Sequence, residues 1–309
     1  MAPRFDITRV RLRNYKSIES CDVELGPLTL LVGPNGSGKS NFLDALQFVA
    51  DALNTNLENA IQERGGFGRV SRFGDSEVEI TLEVRLGDRL QSYGIVLTPL
   101  GDGGCRLREE IRPTPDVAEA LARLRVFTLV PDRMRGTSSP AEDDQLSPDG
   151  STISAVLARI ERETPENNRR AEDYLRVVVA EGVSAAEFDA RSLSNGTLHA
   201  VGVFVALFDG TAPVAVENPE KGLHPAAVGA LMDALRDGAD RRQVFVTTHS
   251  ADLLDVPGLD SSAIRAARRS DGSTVVGPLG FAGETSLRES LFTAGALLRT
   301  DWLWPAGVG

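Results

Sequence analysis

The sequence predicts an α/β protein built on a mostly parallel sheet, and three observations carry that expectation. A glycine-rich turn, GPNGSGKS at 33–40, sits between a continuous apolar run, PLTLLV at 27–32, and NFLDALQFVADAL, whose apolar residues recur at helical spacing. After residue 190 the pattern alternates as helix 196–208, strand 213–217, helix 225–237 and strand 243–248, which indicates a parallel sheet covered by helices. Between these regions, EVEITLEVRL (77–86) and SYGIVLTPL (92–100) alternate with period two and read as an antiparallel β layer beside the core.

The remaining elements follow in order. FDITRVRL (5–12) alternates like a half-buried strand, and 57–75 reads as a polar, glycine-rich connection. CRLREEIRP offers a third strand to the antiparallel layer. PDVAEALARLR is a short helix with proline at its start, and VFTLV (126–130) is another strand. Residues 131–150 read as loop, and 151–182 as helical, through STISAVLARIERE and NNRRAEDYLRVVVAE. That helical run is too short for a long coiled-coil arm, which needs many heptads, so it is expected to form a small lobe. No internal repeat or low-complexity tract is visible.

Composition excludes several classes. Of 309 residues, 41% are hydrophobic and 25% charged, an ordinary soluble balance. No apolar run of about 18 residues is present, so no membrane span is expected, and the N-terminus lacks the apolar core of a secretory signal. A net charge of −11 argues against coating nucleic acid by bulk electrostatics. A local bias remains in the first twenty residues, where Arg4, Arg9, Arg11, Arg13 and Lys16 face only Asp6 and Glu19. Cys21 and Cys105 are far apart without metal-ligand spacing, which suits a reducing cytoplasm.

The chemistry lies in four motifs. In the glycine-rich turn, Gly33, Pro34, Asn35, Gly36, Ser37, Gly38, Lys39, Ser40 and Asn41 form a phosphate-binding loop in the strand–loop–helix context it requires. Its glycines turn successive N–H groups toward phosphate, Lys39 is the cation for the β- and γ-phosphates, and Ser40 is a Mg2+ ligand. LSNGT (193–197) opens a long apolar helix, LHAVGVFVALF; alone, Ser194 and Asn195 would be ordinary helix caps. VAVENPEKGLHP (214–225) is a buried strand ending in acids, and VFVTTHSADLLD (244–255) a buried strand ending in His249.

A phosphate loop, then LSxG, then strand plus acid, then strand plus histidine: this order resembles the ABC-type ATPase superfamily of P-loop NTPases. ITRVRLRNYKSI and ENPEKGLHP resemble its RecF/SMC branch, in particular compact ATPases related to the ATPase half of OLD-family proteins. The likeness covers 7–50 and about 190–255 well, and 55–185 only in general layout. It implies one ABC-type ATPase head over 1–309, with 1–56 and 190–255 as nucleotide-binding core, 76–112 as β layer, 113–189 as helical lobe and 256–309 as C-terminal strands and helix.

The resemblance also implies roles. Two heads would sandwich two ATP molecules, Ser194, Asn195 and Gly196 of one contacting the γ-phosphate held by the other. Glu217 would take the Mg2+-linked acidic position, His249 would sense the γ-phosphate, and KGLHP with His224 would run along the dimer interface. His199, inside the LSNGT helix, carries no motif role and reads as a core residue. Gln91 and Gln145 are candidates by position for a glutamine linking Mg2+ to the lobe, and Gln47 reads as a surface residue; the adenine-contacting residues stay open, with the basic N-terminal strand around Asn14 and Tyr15 as the place to look. Trp302 and Trp304 read as packing residues, or as a tail that docks a partner.

One position departs from the family pattern. The general base normally follows the strand-end acid, and here Asn218 stands after Glu217. An amide orients water but takes no proton from it at neutral pH, and a general base contributes about 10²–10⁴-fold. Glu220 is the alternative carboxylate, or a solvated acid paired with Lys221. The expected function is therefore slow ATP hydrolysis gated by dimerisation, in a DNA-related process such as repair or defence against foreign DNA. Only 60 residues follow His249, too few for the metal-dependent nuclease domain of an OLD protein, so a separate effector such as a nuclease is expected. The alternatives are a hydrolysis-deficient ATP-sensing scaffold and, less well matched, a transporter ATPase subunit.

Overall fold

The structure is a computed structural model, and it describes residues 3–74, 76–101, 103–136, 145–163 and 193–307. Its strands are β1 Phe5–Tyr15, β2 Ile18–Glu24, β3 Leu28–Val32, β4 Val78–Leu86, β5 Arg89–Pro99, β6 Cys105–Ile111, β7 Arg125–Phe127, β8 Val214–Glu217, β9 Val244–Thr248, β10 Ile264–Ser270 and β11 Ser273–Gly277. They form a single sheet in the order β6-β5-β4-β1-β2-β11-β10-β3-β9-β8-β7. From β10 to β7 every neighbour is parallel. From β6 to β2 every pairing is antiparallel. The antiparallel strands expected to lie beside the core therefore continue the same sheet, because the long strand β1 pairs with β2 on one edge and β4 on the other.

Side-chain alternation places helices on both faces of the parallel half. Leu30 and Val32 of β3, Val214 and Val216 of β8, and Val244 and Val246 of β9 enter one core with helices α7 (Asn195–Phe208) and α8 (Val228–Arg241). Leu31, Ala215 and Phe245 point the opposite way into a second core with helix α1 (Lys39–Asn54). A strand buried on both faces must be apolar throughout, which is why these strands are legible as continuous runs. α7 is buried on nearly all sides, from Leu198 to Phe208. Replacing the fully buried Phe204 by Ala is expected to cost about 3–5 kcal/mol, read as a lower urea midpoint with unchanged slope.

Several expectations need correction. The connection 57–75 contains two helices, α2 (Leu57–Glu63), capped by Asn56, and α3 (Phe67–Val70). Gly65 and Gly66, both at positive φ, divide them and hide the periodicity. Strand β2 was not expected from its polar sequence IESCDVE; it follows a tight reversal in which Asn14 (φ 53°) and Lys16 (φ 49°) are left-handed. α4 (Pro115–Ala122) forms as expected, but VFTLV yields only β7. Thr128 and Val130 donate their backbone N–H groups to Pro148 and Asp149 instead of to a strand. β7 joins the core sheet, so 113–189 is not wholly a helical lobe.

Beyond β7, α5 (Pro131–Met134) and α6 (Ile153–Glu163) both pack against α7. The rest of the helical stretch read through 182 lies outside the described residues. Gln47 is no surface residue: its Oε1 accepts from Val126 N at 2.9 Å and pins the edge strand to α1.

The C-terminal segment reaches further into the core than its position suggests. The β10–β11 hairpin lies between β2 and β3, in the middle of the sheet. It is followed by α10 (Phe281–Arg288) and α11 (Ala294–Arg299). α11 clamps the short helix α9 (Ala251–Leu254) just after His249. Asp255 accepts from Gly295 N at 3.0 Å and from Arg299 at 2.6 Å. Trp304 stacks its ring on Arg268, whereas Trp302 is 69% exposed. The basic bias of β1 is balanced across strands, since Arg9 and Arg11 pair with Asp22 and Arg11 also with Glu83. No helix among the described residues is long and apolar enough to cross a membrane.

Candidate functional site

The loops leaving β3, β8 and β9 exit the same edge of adjacent parallel strands, where Val32 pairs with Thr248 and Thr247 with Glu217. Open parallel sheets bind ligands at that carboxyl edge. The loop after β3 is tight because two glycines meet the C-terminal hairpin. A Cβ on Gly33 would lie 2.1 Å from the Ala267 carbonyl oxygen, and one on Gly38 (φ 97°) 2.2 Å from Thr274 Oγ1. Ala267 and Thr274 were not read from the sequence, because nothing local announces that a hairpin more than two hundred residues away braces this turn.

Lys39 begins α1 and is 7% exposed. Its Nζ donates to the Gly33 and Pro34 carbonyls at 2.8 and 2.9 Å. Burial pushes its pKa down, and the charges of Glu217 and Glu220 oppose that shift. Both carboxylates therefore act on the phosphate-loop cation. Pro34, Asn35 and Gly36 form the exposed tip, Ser37 is buried beneath it, and Ser40 is exposed at the start of α1. Asn41 turns away: its Nδ2 donates to Ser17 Oγ at 2.6 Å, and Ser17 bonds to Thr274.

Glu217 ends β8 half-buried, and Thr128 donates its hydroxyl to it at 3.1 Å. Thr128, at the end of the neighbouring strand, was also not read from the sequence. Asn218 is left-handed, with φ 46°. Its N–H donates to the Thr247 carbonyl at 2.9 Å, and its Oδ1 lies 3.1 Å from His249 Nδ1. Glu220 does not pair with Lys221. Its Oε1 accepts from Thr248 Oγ1 at 2.6 Å, while Oε2 is buried without a hydrogen-bond partner. His249 is exposed at the end of β9. His224 caps a short 3-10 turn, accepting from Ala226 N at 3.2 Å.

The LSNGT motif forms the start of α7. Ser194 caps it, accepting from Thr197 N at 3.1 Å. Arg135 braces the motif, donating to Leu193 O at 3.0 Å and to Asn195 Oδ1 at 2.5 Å; it lies in a stretch read only as loop. Gly196 touches the loop after β8 so closely that a Cβ there would lie 2.0 Å from Gly222 O. Among the described residues, Ser194, Asn195 and Gly196 make no hydrogen bond to the phosphate loop, and Ser194 and Asn195 face outward.

The two candidate glutamines are engaged elsewhere, and the N-terminal strand is tied to α1. Gln91 bonds to Thr114 at 2.7 Å, and Gln145 bonds to Arg125. Tyr15 is fully buried with its hydroxyl on Asp44 at 2.6 Å, and Asn14 donates to Glu77 O. Burial, together with Asp44, raises the Tyr15 pKa well above its usual value.

Comparisons with known proteins bear on this geometry. A family model described as AAA ATPase domain matches residues 6–168, and a second, an AAA domain, matches 181–255. Over 43 residues, 14% of this chain and 8% of that protein, the sequence is 44% identical to an OLD nuclease of Thermus scotoductus. Over 153 residues, 44% of this chain and 37% of that protein, it is 29% identical to the DNA replication and repair protein RecF of Chloroflexus aggregans. The chain spans well under half the length of these curated relatives. An SMC head bound to the C-winged helix domain of ScpA superposes with a TM-score of 0.63 at 15% identity, over 91% of this chain and 99% of that one. The SMC head domain from Thermotoga maritima gives 0.52 at 16%, over 90% and 99%. At such identities the likeness is one of fold.

Proposed function

Because this chain belongs to the AAA ATPase domain family, in its RecF, SMC and OLD branch, we propose that it binds ATP with Mg2+ and hydrolyses it slowly, gated by dimerisation, with 1–309 acting as one ATPase head. The observation that carries this reading is the setting of Lys39. A buried ammonium caps the phosphate loop within the field of two carboxylates, Glu217 and Glu220, from the loop at the end of β8. A triphosphate offers that ammonium a stronger partner than two neutral carbonyls.

The residues fit the nucleotide and its metal. Gly36 and Gly38 hold positive φ, which exposes backbone N–H groups to phosphate oxygens. Ser40 and Glu217 would hold Mg2+. Among the described residues no cluster of three or more His, Cys, Asp or Glu could hold a metal. Mg2+ takes one or two protein oxygens and completes its shell with phosphates and water, and the Ser40 hydroxyl and Glu217 carboxylate are oxygen donors of that kind. Bound there, Mg2+ supplies charge neutralisation of the β- and γ-phosphates. Asn218 and His249 orient the attacking water, and Glu220, with one oxygen anchored by Thr248, supplies the carboxylate that takes its proton. Ser194, Asn195 and Gly196 close the γ-phosphate site of a second copy.

The relatives named for DNA repair and for a nuclease support a DNA-related process in the cytoplasm, repair or defence against foreign DNA. A separate effector, such as a nuclease, would then do the cutting. The test measures phosphate release and oligomeric state together on the purified chain. The expected result is turnover below about 1 s⁻¹, an ordinary enzyme rate, appearing only where ATP drives dimers. Nuclease activity from the chain alone would defeat the separate effector. The left-handed Asn218 in the usual base position favours a second reading, an ATP-sensing scaffold without turnover. Any ATP-dependent turnover of the dimer that is lost with the phosphate-loop lysine would sink it.

A further inference from the structure

His199 lies within the first turns of α7 and is 1% exposed. Its Nε2 is 3.1 Å from the carbonyl oxygen of Asn218, and its Nδ1 is buried with no hydrogen-bond partner. A carbonyl only accepts, so Nε2 carries the proton and the ring is the neutral Nε2–H tautomer. Burial, which pushes the imidazole pKa down, acts in the same direction.

That hydrogen bond lands on a constrained residue. The Asn218 carbonyl also accepts from Lys221 N at 3.0 Å, and the Asn218 N–H is taken by Thr247 at 2.9 Å. Gripped on both sides, Asn218 keeps φ 46°, a left-handed conformation that Asn tolerates better than most residues with a side chain. In this conformation its Oδ1 reaches His249 Nδ1 at 3.1 Å. The Gly196–Gly222 approach holds the start of α7 against the same loop. An unbroken path therefore runs from the LSNGT helix through His199 and Asn218 to His249.

We infer that His199 is a positioning residue for ATP hydrolysis: its Nε2–H fixes the Asn218 carbonyl, aims the Asn218 amide at His249, and ties the start of α7 to the loop that orients water. This rests on the proposed roles of Asn218 and His249. A histidine that only filled space would be replaced without catalytic loss by a side chain of similar bulk. A positioning histidine needs a donor at this point.

The experiment compares the native chain with His199→Phe, which fills the space without a donor, and His199→Gln, which offers an N–H of similar reach. Turnover and ATP affinity are measured for each, with histidine side-chain ¹H–¹⁵N spectra of the nucleotide-free chain. Only three histidines are present, so His249 is readily assigned. His199→Phe should lower kcat about tenfold with KM within about twofold, the signature of misplaced rather than missing binding groups. His199→Gln should recover to within about threefold of the native rate. His249 should leave a fixed Nδ1–H tautomer for an exchanging mixture in the Phe variant. Native turnover and an unchanged His249 spectrum in the Phe variant, or a Gln variant as slow as Phe, would overturn the inference. If the native chain shows no turnover, the ATPase reading fails by itself, and the His249 spectrum alone decides the positioning role.

Discussion

Replacing Lys39 by Met should weaken ATP binding about 30- to 150-fold and lower turnover by a further 10²–10³-fold, while the nucleotide-free protein keeps its melting temperature. The binding loss follows from removing charge-assisted hydrogen bonds worth about 2–3 kcal/mol. The catalytic loss is of the size seen when a preorganised donor to a developing negative charge is deleted. Stability should hold because Lys39 is held by two carbonyls in a buried setting that penalises its charge. Met fills the stem volume and removes that penalty. Isothermal titration and a thermal scan with and without ATP separate the effects, since only a bound ligand shifts the melting temperature. An unchanged ATP-dependent shift in the variant would mean that nucleotide binds elsewhere.

How much of this was legible in the sequence depended on whether a residue's neighbours lie near it in the chain. β3, β8 and β9 are buried on both faces, so LTLLV, VAVE and VFVTT announce themselves as apolar runs. The glycine-rich turn was legible because phosphate binding requires its glycines and lysine within eight consecutive residues. β2 was not, because IESCDVE buries only Ile18 and Val23 fully. Nor was the place of β10 and β11, since insertion between β2 and β3 is a long-range pairing with no local sign. The same reason hid Ala267 and Thr274 behind the phosphate loop, and Thr128 beside Glu217. The burial of Tyr15 was equally hidden, because its ring packs edge-on to Phe48 and its hydroxyl binds Asp44, partners on a helix that follows more than twenty residues later. His199 was correctly read as buried, but burial did not reveal what its Nε2 touches.

Glu220→Gln and Asn218→Glu should have opposite and unequal consequences. The first is expected to lower turnover about a hundredfold or more, the contribution of a general base, with ATP affinity within about threefold. The second is expected to raise turnover less than about threefold and to cost stability on the order of 1 kcal/mol. The asymmetry follows from backbone and burial. At φ 46° Asn218 sits where a side chain other than Asn, Asp or Gly is disfavoured by about 1–2 kcal/mol. A glutamate installed there would strain the loop or abandon the conformation that reaches His249. Glu220 already has a carboxylate in place, one oxygen fixed by Thr248 at 2.6 Å and the other buried without a partner. Its charge also lies in the field of the Lys39 ammonium, and an amide would set a donor where Oε2 has no partner, so a melting scan accompanies the assay and only slow turnover at a temperature well below the variant's melting point counts. Steady-state phosphate release with both single variants and the double variant decides the matter. A tenfold or greater gain from Asn218→Glu, with Glu220→Gln near the native rate, would place the base at 218 and reduce Glu220 to a brace for Thr248.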